Sequence, residues 1–232
     1  MNQIDLQKMN EQPNSWNMLR TMGGVGILCA ILIVFTFQAT LPTITRKKTE
    51  ALENAVFKVL PGTKTKITFR LNENNQFEPY DGDTKGQQVV YAGYDKNGQL
   101  VGIALEARGQ GFQDVIQLLY GYAPQKQAIV GIQILESKET PGLGNKTESD
   151  PDFLLNFKAL DVALNDNGSG IRNPIEPVKH GTKEHPWQID CITGATISSK
   201  AIANILKKDT EQFIPLVFSN LQNFEKVQND AK

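Results

Sequence analysis

The chain has 232 residues, room for one or two domains. Its 24 basic and 25 acidic side chains leave a net charge of −1, which gives no electrostatic basis for a nucleic-acid partner. Two cysteines and two histidines are too few for a disulfide scaffold, a cysteine-built zinc site or an iron–sulfur cluster. The first feature in the chain is residues 21–45, a run of 25 between Arg20 and Arg46 without one formal charge. A bilayer-crossing helix needs roughly 20 apolar residues, so this run is long enough. It lacks the polar face of a core helix, and it exceeds the apolar region of about 7–15 residues found in signal peptides. The reading is an uncleaved single span over 21–45, a tail over 1–20, and one soluble domain over 46–232.

Charge alone leaves the orientation open. Lys8 and Arg20 precede the span, whereas Arg46, Lys47, Lys48 and Lys58 follow it. The positive-inside rule read literally favours a cytoplasmic domain, but it weakens where a long domain is translocated.

After the span, Ala51, Leu52, Ala55, Val56, Val59 and Leu60 fall at helical spacing over Arg46–Leu60, and Pro61-Gly62 stops the pattern. Strands are predicted at Thr65–Leu71, Gln88–Tyr94, Leu100–Glu106, Asp114–Tyr122 and Ala128–Glu136. Asn97-Gly98 marks a hairpin between the second and third of these, because both residues tolerate positive φ. Glu139–Asp152 and Asn165–Pro177 read as loops. The chain closes with a helix over Lys200–Lys208, with Pro215 bending or ending it. Strands in series with helices at either end give an α+β class: an antiparallel sheet with flanking helices behind one transmembrane helix.

The segment from Asp190 to Ser199, D-C-I-T-G-A-T-I-S-S, is a hydroxyl-rich turn entering the last helix. Free N–H groups and the helix dipole at such a terminus favour an anion, most naturally a phosphate. Gly194 and Ala195 keep side-chain bulk away, so a ligand can approach the backbone. Ser and Thr are also the preferred N-caps, and spacing does not separate a cap from a phosphate site.

Asp190-x-x-Thr193-Gly194-Ala195-Thr196-x-Ser198 resembles the D-x-x-[ST]-G-A-[ST]-x-[ST] motif of covalently flavinylated FMN-binding domains. The resemblance implies FMN joined through its phosphate to Thr196 by a flavin transferase. It also implies that Asp190 serves recognition by that transferase. Glu139-Thr140-Pro141-Gly142-Leu143-Gly144 is similar to the E-T-P-G-L-G loop of two related subunits. One is the G subunit of the Rnf ion-translocating electron-transport complex, the other the C subunit of the Na⁺-translocating NADH:quinone oxidoreductase. The likeness makes Thr140 and Leu143 the contacts of the flavin ring. Arg108-Gly109-Gln110-Gly111 matches the R-G-x-G segment that lies between strands in that family. Taken alone, Pro-Gly reads as a surface turn and the R-G-x-G glycines as a bulge. Three motifs in order behind one span are more specific, and Lys138 with the T-G-A-T core favours the Rnf subunit.

That resemblance implies a single-pass subunit of the bacterial inner membrane, its domain periplasmic. Such a subunit carries electrons in a complex coupling ferredoxin and NAD to Na⁺ or H⁺ translocation. Its partners would be the membrane and iron–sulfur subunits of that complex, with no catalytic residue, metal ligand or NAD site of its own. The alternatives are the C subunit of the quinone-reducing pump, or a membrane-tethered module binding FMN reversibly. His180 and His185 read as loop residues, Trp187 as a core filler, and Cys29 and Cys191 as unpaired thiols.

Overall fold

The computed structural model describes residues 15–226 apart from Asp83 and Lys85, so most of the expected 1–20 tail, with Lys8, lies outside the described residues. The chain divides into two units between Glu50 and Ala51. Helix α1, Ser15–Val59, starts before the uncharged run and continues past it as one element with Pro42 inside. Its N-terminal portion is long and apolar enough to cross a membrane, and none of that portion is buried by the protein. The threonines there return their hydroxyls to the preceding turn, as Thr40 Oγ1 does to the Thr36 carbonyl at 2.9 Å, which satisfies them without water.

The second unit is built on seven strands: β1 (Thr65–Leu71), β2 (Phe77–Pro79), β3 (Val89–Tyr94), β4 (Leu100–Gln110), β5 (Val115–Ala123), β6 (Ala128–Glu136) and β7 (Leu160–Asp161). They form one antiparallel sheet in the order β2-β1-β3-β4-β5-β6-β7. A short helix α2 (Pro151–Leu155) and two 3₁₀ turns lead to β7. Strands β8 (Glu176–Val178) and β9 (Gln188–Asp190) then make a separate parallel pair, followed by helices α3 (Thr196–Ser219) and α4 (Leu221–Lys226). The expected α+β class and antiparallel sheet are what the structure shows.

Both faces of the central strands are covered. On one face, Ile103, Leu105 and Ala107 of β4 and Leu118, Tyr120 and Tyr122 of β5 meet Ile202, Leu206 and Ile214 of α3. On the other, Tyr91, Ala104 and Leu119 meet Ala55, Val56, Val59 and Leu60 at the end of α1. Strands buried on both sides need apolar residues at consecutive positions, which is why β4 and β5 lack clean alternation. The α1 side also needs missing side chains. A Cβ at Gly121 would sit 2.2 Å from the Val59 carbonyl oxygen, and one at Gly131 would sit 2.7 Å from it. Across β5 and β6, Gly121 and Gly131 are register partners, so together they form the groove in which the helix end lies.

Several elements differ from the sequence expectation for local reasons. The β3–β4 hairpin forms, but only Gly98 has positive φ (+78°); Asp95 Oδ1 holds the turn by accepting from the Asn97 and Gln99 N–H groups. Three-residue β2 carries no pattern long enough to read, and its Pro79 suits an edge. Within the expected Glu139–Asp152 loop lie a 3₁₀ turn, Gly144–Glu148, and the start of α2, whose N-cap Asp150 accepts from the Phe153 N–H at 2.9 Å. Helix α3 is far longer than Lys200–Lys208 and runs through Pro215. Trp187 is not a core filler: it is half-buried and stacks on His185, with ring centroids 4.4 Å apart.

Midway along α3, Asp209 accepts the Tyr120 hydroxyl at 2.7 Å. Burial pushes the Asp209 carboxyl up to about 6, against the lowering effect of that hydrogen bond. A carboxyl raised in the folded state stabilises fully below its unfolded value near 4, and that contribution is lost as pH rises through about 6. Asp209→Asn keeps an acceptor for Tyr120, so it is expected to exceed the wild type in stability by about 1–3 kcal/mol at pH 8 and to match it near pH 4. Denaturant titration at the two pH values checks this. Gly121→Ala should destabilise by about 1–3 kcal/mol through overpacking against Val59, read by thermal unfolding.

Candidate functional site

The three sequence motifs converge on one buried carboxylate. Glu139 is 5% exposed and follows the end of β6. Its Oε1 accepts from the Phe112 N–H at 2.8 Å and the Gln113 N–H at 3.1 Å, in the connection between β4 and β5. Its Oε2 accepts from the Ser198 hydroxyl in the first turn of α3. Two glycines make room for it. A Cβ at Gly111 would lie 2.5 Å from Oε1, and one at Gly144 would lie 2.5 Å from Oε2 and 2.6 Å from Ser198 Oγ. Both carboxylate oxygens of Glu139 are thus occupied by protein donors.

The rest of the loop folds on itself. The Thr140 carbonyl accepts from the Leu143 N–H at 3.1 Å, while Asn145 Oδ1 accepts from the Gly142 N–H at 2.7 Å. Gly142 has φ +78°, which Pro141-Gly142 supplies in sequence. This turn leaves the Leu143 side chain 52% exposed.

The T-G-A-T segment forms the entry to α3. The Ala195 N–H donates to the Ile192 carbonyl at 3.1 Å, closing a turn in which Gly194 has φ +84°. Ser199 Oγ accepts from the Ile192 N–H at 3.1 Å and donates to the Ala195 carbonyl at 2.9 Å, which braces the turn from inside. The helix begins at Thr196, earlier than its apolar periodicity indicates, so Thr196 and Ser198 belong to its first turn. Ala195 occupies the N-cap position and offers no side-chain acceptor. Three hydroxyls of the segment donate within the protein: Thr196 Oγ1 to the Ile192 carbonyl at 3.2 Å, Ser198 to Glu139, and Ser199 to the Ala195 carbonyl. Among the described residues, nothing accepts from the N–H groups of Thr196, Ile197 and Ser198. Of the two readings that spacing left open, the side-chain cap is not what forms here.

Thr193 and Gly194 are exposed and Thr196 is half-buried, so the outer side of the turn is open to a ligand. A cleft of about 400 Å³ adjoins it, lined by residues that include Lys146, Asp150, His180, Asp190 and Thr193. The larger cleft, about 630 Å³, lies further along α3 around Lys208 and Asp209 and shares only Arg108 with the three motifs.

Two expected site residues stand apart. The Asp190 carboxylate accepts from the Gly181 N–H at 2.8 Å and lies 3.6 Å from His180 Nδ1, both on the loop before β9. Asn156 clamps its backbone, accepting from the Asp190 N–H and donating to its carbonyl. Gly109 lies within β4, not between strands, and a Cβ there would meet Ile205 of α3 at 2.6 Å. Ile205 is nine residues beyond Thr196, about 13 Å along the helix axis, so Gly109 sets the seat of α3. Ser199, Asn145 and Asn156 carry no motif signal beyond polarity, and only the fold reveals what they hold.

A phosphate-bearing group fits the open helix entry by its chemistry: free backbone donors, a positive helix terminus and a glycine without a clashing neighbour. The sequence family described as FMN-binding domain matches residues 111–210, which contain every residue just described around Glu139 and Thr196. The chain is 30% identical over 206 residues to the G subunit of the ion-translocating oxidoreductase complex of Methanosarcina acetivorans, spanning 85% of this chain and 94% of that relative. It is 34% identical over 118 residues, half of each chain, to the G subunit of the Na(+)-translocating ferredoxin:NAD(+) oxidoreductase complex of Acetobacterium woodii. Among solved structures, Shewanella oneidensis NqrC has the same fold, with a TM-score of 0.58 at 19% identity over 81% of this chain and all of that one.

Glu139→Ala would strand two backbone donors and a hydroxyl, and is expected to cost about 2–5 kcal/mol. Ser198→Ala, which leaves the backbone bonds to Glu139 intact, should cost about 1–2 kcal/mol. Chemical denaturation of the full chain in detergent tests both; equal costs would show that the Ser198 bond carries the whole node.

Proposed function

Because the chain belongs to the family of G subunits of ion-translocating oxidoreductase complexes, we propose that it carries FMN covalently on Thr196 and passes electrons within such a complex. The observation carrying this reading is the uncapped entry to α3: three free N–H groups beside a threonine hydroxyl. When bound, the flavin supplies the electron acceptor and donor that no side chain here provides. The protein supplies its placement. Thr196 Oγ1 would lose its proton and form the phosphoester bond as the phosphate's activating group leaves, so that the adduct weighs one water less than the chain plus free FMN. A flavin transferase would provide the activated phosphate. The N–H groups of the first turn would hold the remaining phosphate charge, aided by the helix dipole.

Glu139 acts on this site as a positioning residue, since its oxygens are spent on Phe112, Gln113 and Ser198. Asp190 would serve the transferase: it borders the cleft beside Thr193 but is turned to the loop at His180 and Gly181. Residues 21–45 of α1 would anchor the subunit in the inner membrane, with the domain over 46–232 on the periplasmic side. The charge distribution points the other way, but it weighs little for a domain of this length. A covalent bond would keep the cofactor from being lost on that side. The partners would be the other subunits of the complex, and the coupled reaction electron transfer between ferredoxin and NAD with Na⁺ or H⁺ movement.

The test is intact mass and in-gel fluorescence of the denatured chain after co-expression with a flavin transferase. Wild type should gain the mass of FMN less one water, mapped to the peptide holding Thr196. Thr196→Val, similar in volume but without the hydroxyl, should show neither mass gain nor fluorescence. An adduct persisting in that variant would exclude Thr196 as the attachment point.

A further inference from the structure

The sheet has one open edge. Strand β7 pairs with β6 only at Ala128 and Ile129, and the 3₁₀ turn Asn156–Lys158 takes the chain off the edge just before β7. Among the described residues, no strand lies on that side of residues 130–135 of β6. This stretch, V-G-I-Q-I-L, holds neither proline nor charge, two of the usual guards of a free edge. Its register with β5 is unbroken from Gly131 to Ile134. A cleft of about 560 Å³ adjoins the edge. Val130 and Ile132 of β6 and the buried Phe157 contribute apolar lining, and Lys58, Lys126 and Lys158 contribute its charge. All three lysines are exposed, and among the described residues none has an ion pair. No Asp or Glu lines the cleft. Its charge is of one sign.

We propose that this edge and cleft dock an extended acidic segment of a partner subunit, which adds to β6 as a further strand. Each feature answers one part of such a segment. The outward N–H and C=O groups of β6 pair with its main chain, as in other strand additions to a sheet edge. The apolar lining takes an apolar side chain, and the lysines take carboxylates, which sets charge complementarity and partner choice. The open edge favours a peptide over a free amphiphilic anion, which would use the lysines and the apolar lining but leave the backbone groups unpaired. A second copy of this chain, paired edge to edge, would set lysine against lysine, and like charges placed opposite each other are destabilising. The inference rests on the chain's place among the subunits of an oxidoreductase complex and is independent of the attachment at Thr196.

Hydrogen exchange over residues 130–135 is compared between the full-length chain alone in detergent and the same chain assembled with the other subunits of the complex. Exchange should slow several-fold on assembly. The combined variant Lys58→Glu, Lys126→Glu, Lys158→Glu should return it to the rate of the chain alone. The same three positions changed to Arg keep their charge and should keep the slowing. Because all three side chains are exposed, neither variant should shift the thermal unfolding of the chain alone. Carbodiimide, which joins an amine to a touching carboxylate with loss of water, then identifies the occupant. Cross-links from the three lysines should converge on Asp or Glu residues within one segment of a single partner subunit. Unchanged exchange in the wild-type complex, slowing that survives in the Glu variant, or cross-links only to a second copy of this chain would each overturn the proposal. A wild-type chain that fails to co-purify with the other subunits would instead overturn its place in the complex, and the docking edge with it.

Discussion

The arrangement of this domain around its candidate site depends on the burial of one carboxylate. Glu139 is taken out of water at the end of β6 and compensated by two backbone N–H groups and one hydroxyl from two other segments. A buried carboxylate left unpaired is costly, so its donors are held in place as firmly as it is. That requirement explains glycine at 111 and 144, where any Cβ would collide with the carboxylate. It also explains why segments separated by 59 residues, Glu139 and Ser198, share one site.

Helix α3 is the element that benefits. Ser198 holds its first turn to Glu139, Gly109 lets Ile205 sit against β4, and Asp209 takes the Tyr120 hydroxyl further along. With three contacts spaced along one side, the helix is fixed against the sheet by side chains and not by a cap. Its first-turn N–H groups lack a side-chain acceptor because Ala195 holds the N-cap position, while Thr196 and Ser198 turn their hydroxyls to the Ile192 carbonyl and Glu139. Two requirements are separated along the same helix: the first turn is left unsatisfied and open on its outer side, and the middle carries the packing.

The opposite face of the sheet follows a different rule. There the end of α1 approaches so closely that Gly121 and Gly131 are required by the Val59 carbonyl. Backbone-to-backbone packing of this kind tolerates no added methyl, whereas the α3 face is filled by interlocking large side chains such as Tyr120, Tyr122 and Leu206.

Much of this was readable from the sequence by itself. The uncharged run behind Arg20, strand β1 and the Asn97-Gly98 hairpin follow from local chemistry: charge, side-chain period and the conformations that glycine and proline permit; the three motifs stand out through their resemblance to a family. Residues whose role is set by neighbours in the chain are legible in the chain. What only the tertiary structure decided is where distant segments meet. Nothing in the sequence tells that Glu139 spends both oxygens on the protein, that Gly109 seats a helix, or that Asp190 turns to His180. Nor does spacing reveal whether Thr193 or Thr196 caps α3, since a cap needs a side-chain oxygen placed to accept from the first-turn N–H groups, and here Ala195 holds that position while Thr196 turns its hydroxyl to the Ile192 carbonyl. Those outcomes depend on burial and on competition among hydrogen-bond partners far apart in sequence, and both exist only once the sheet and α3 have closed on each other.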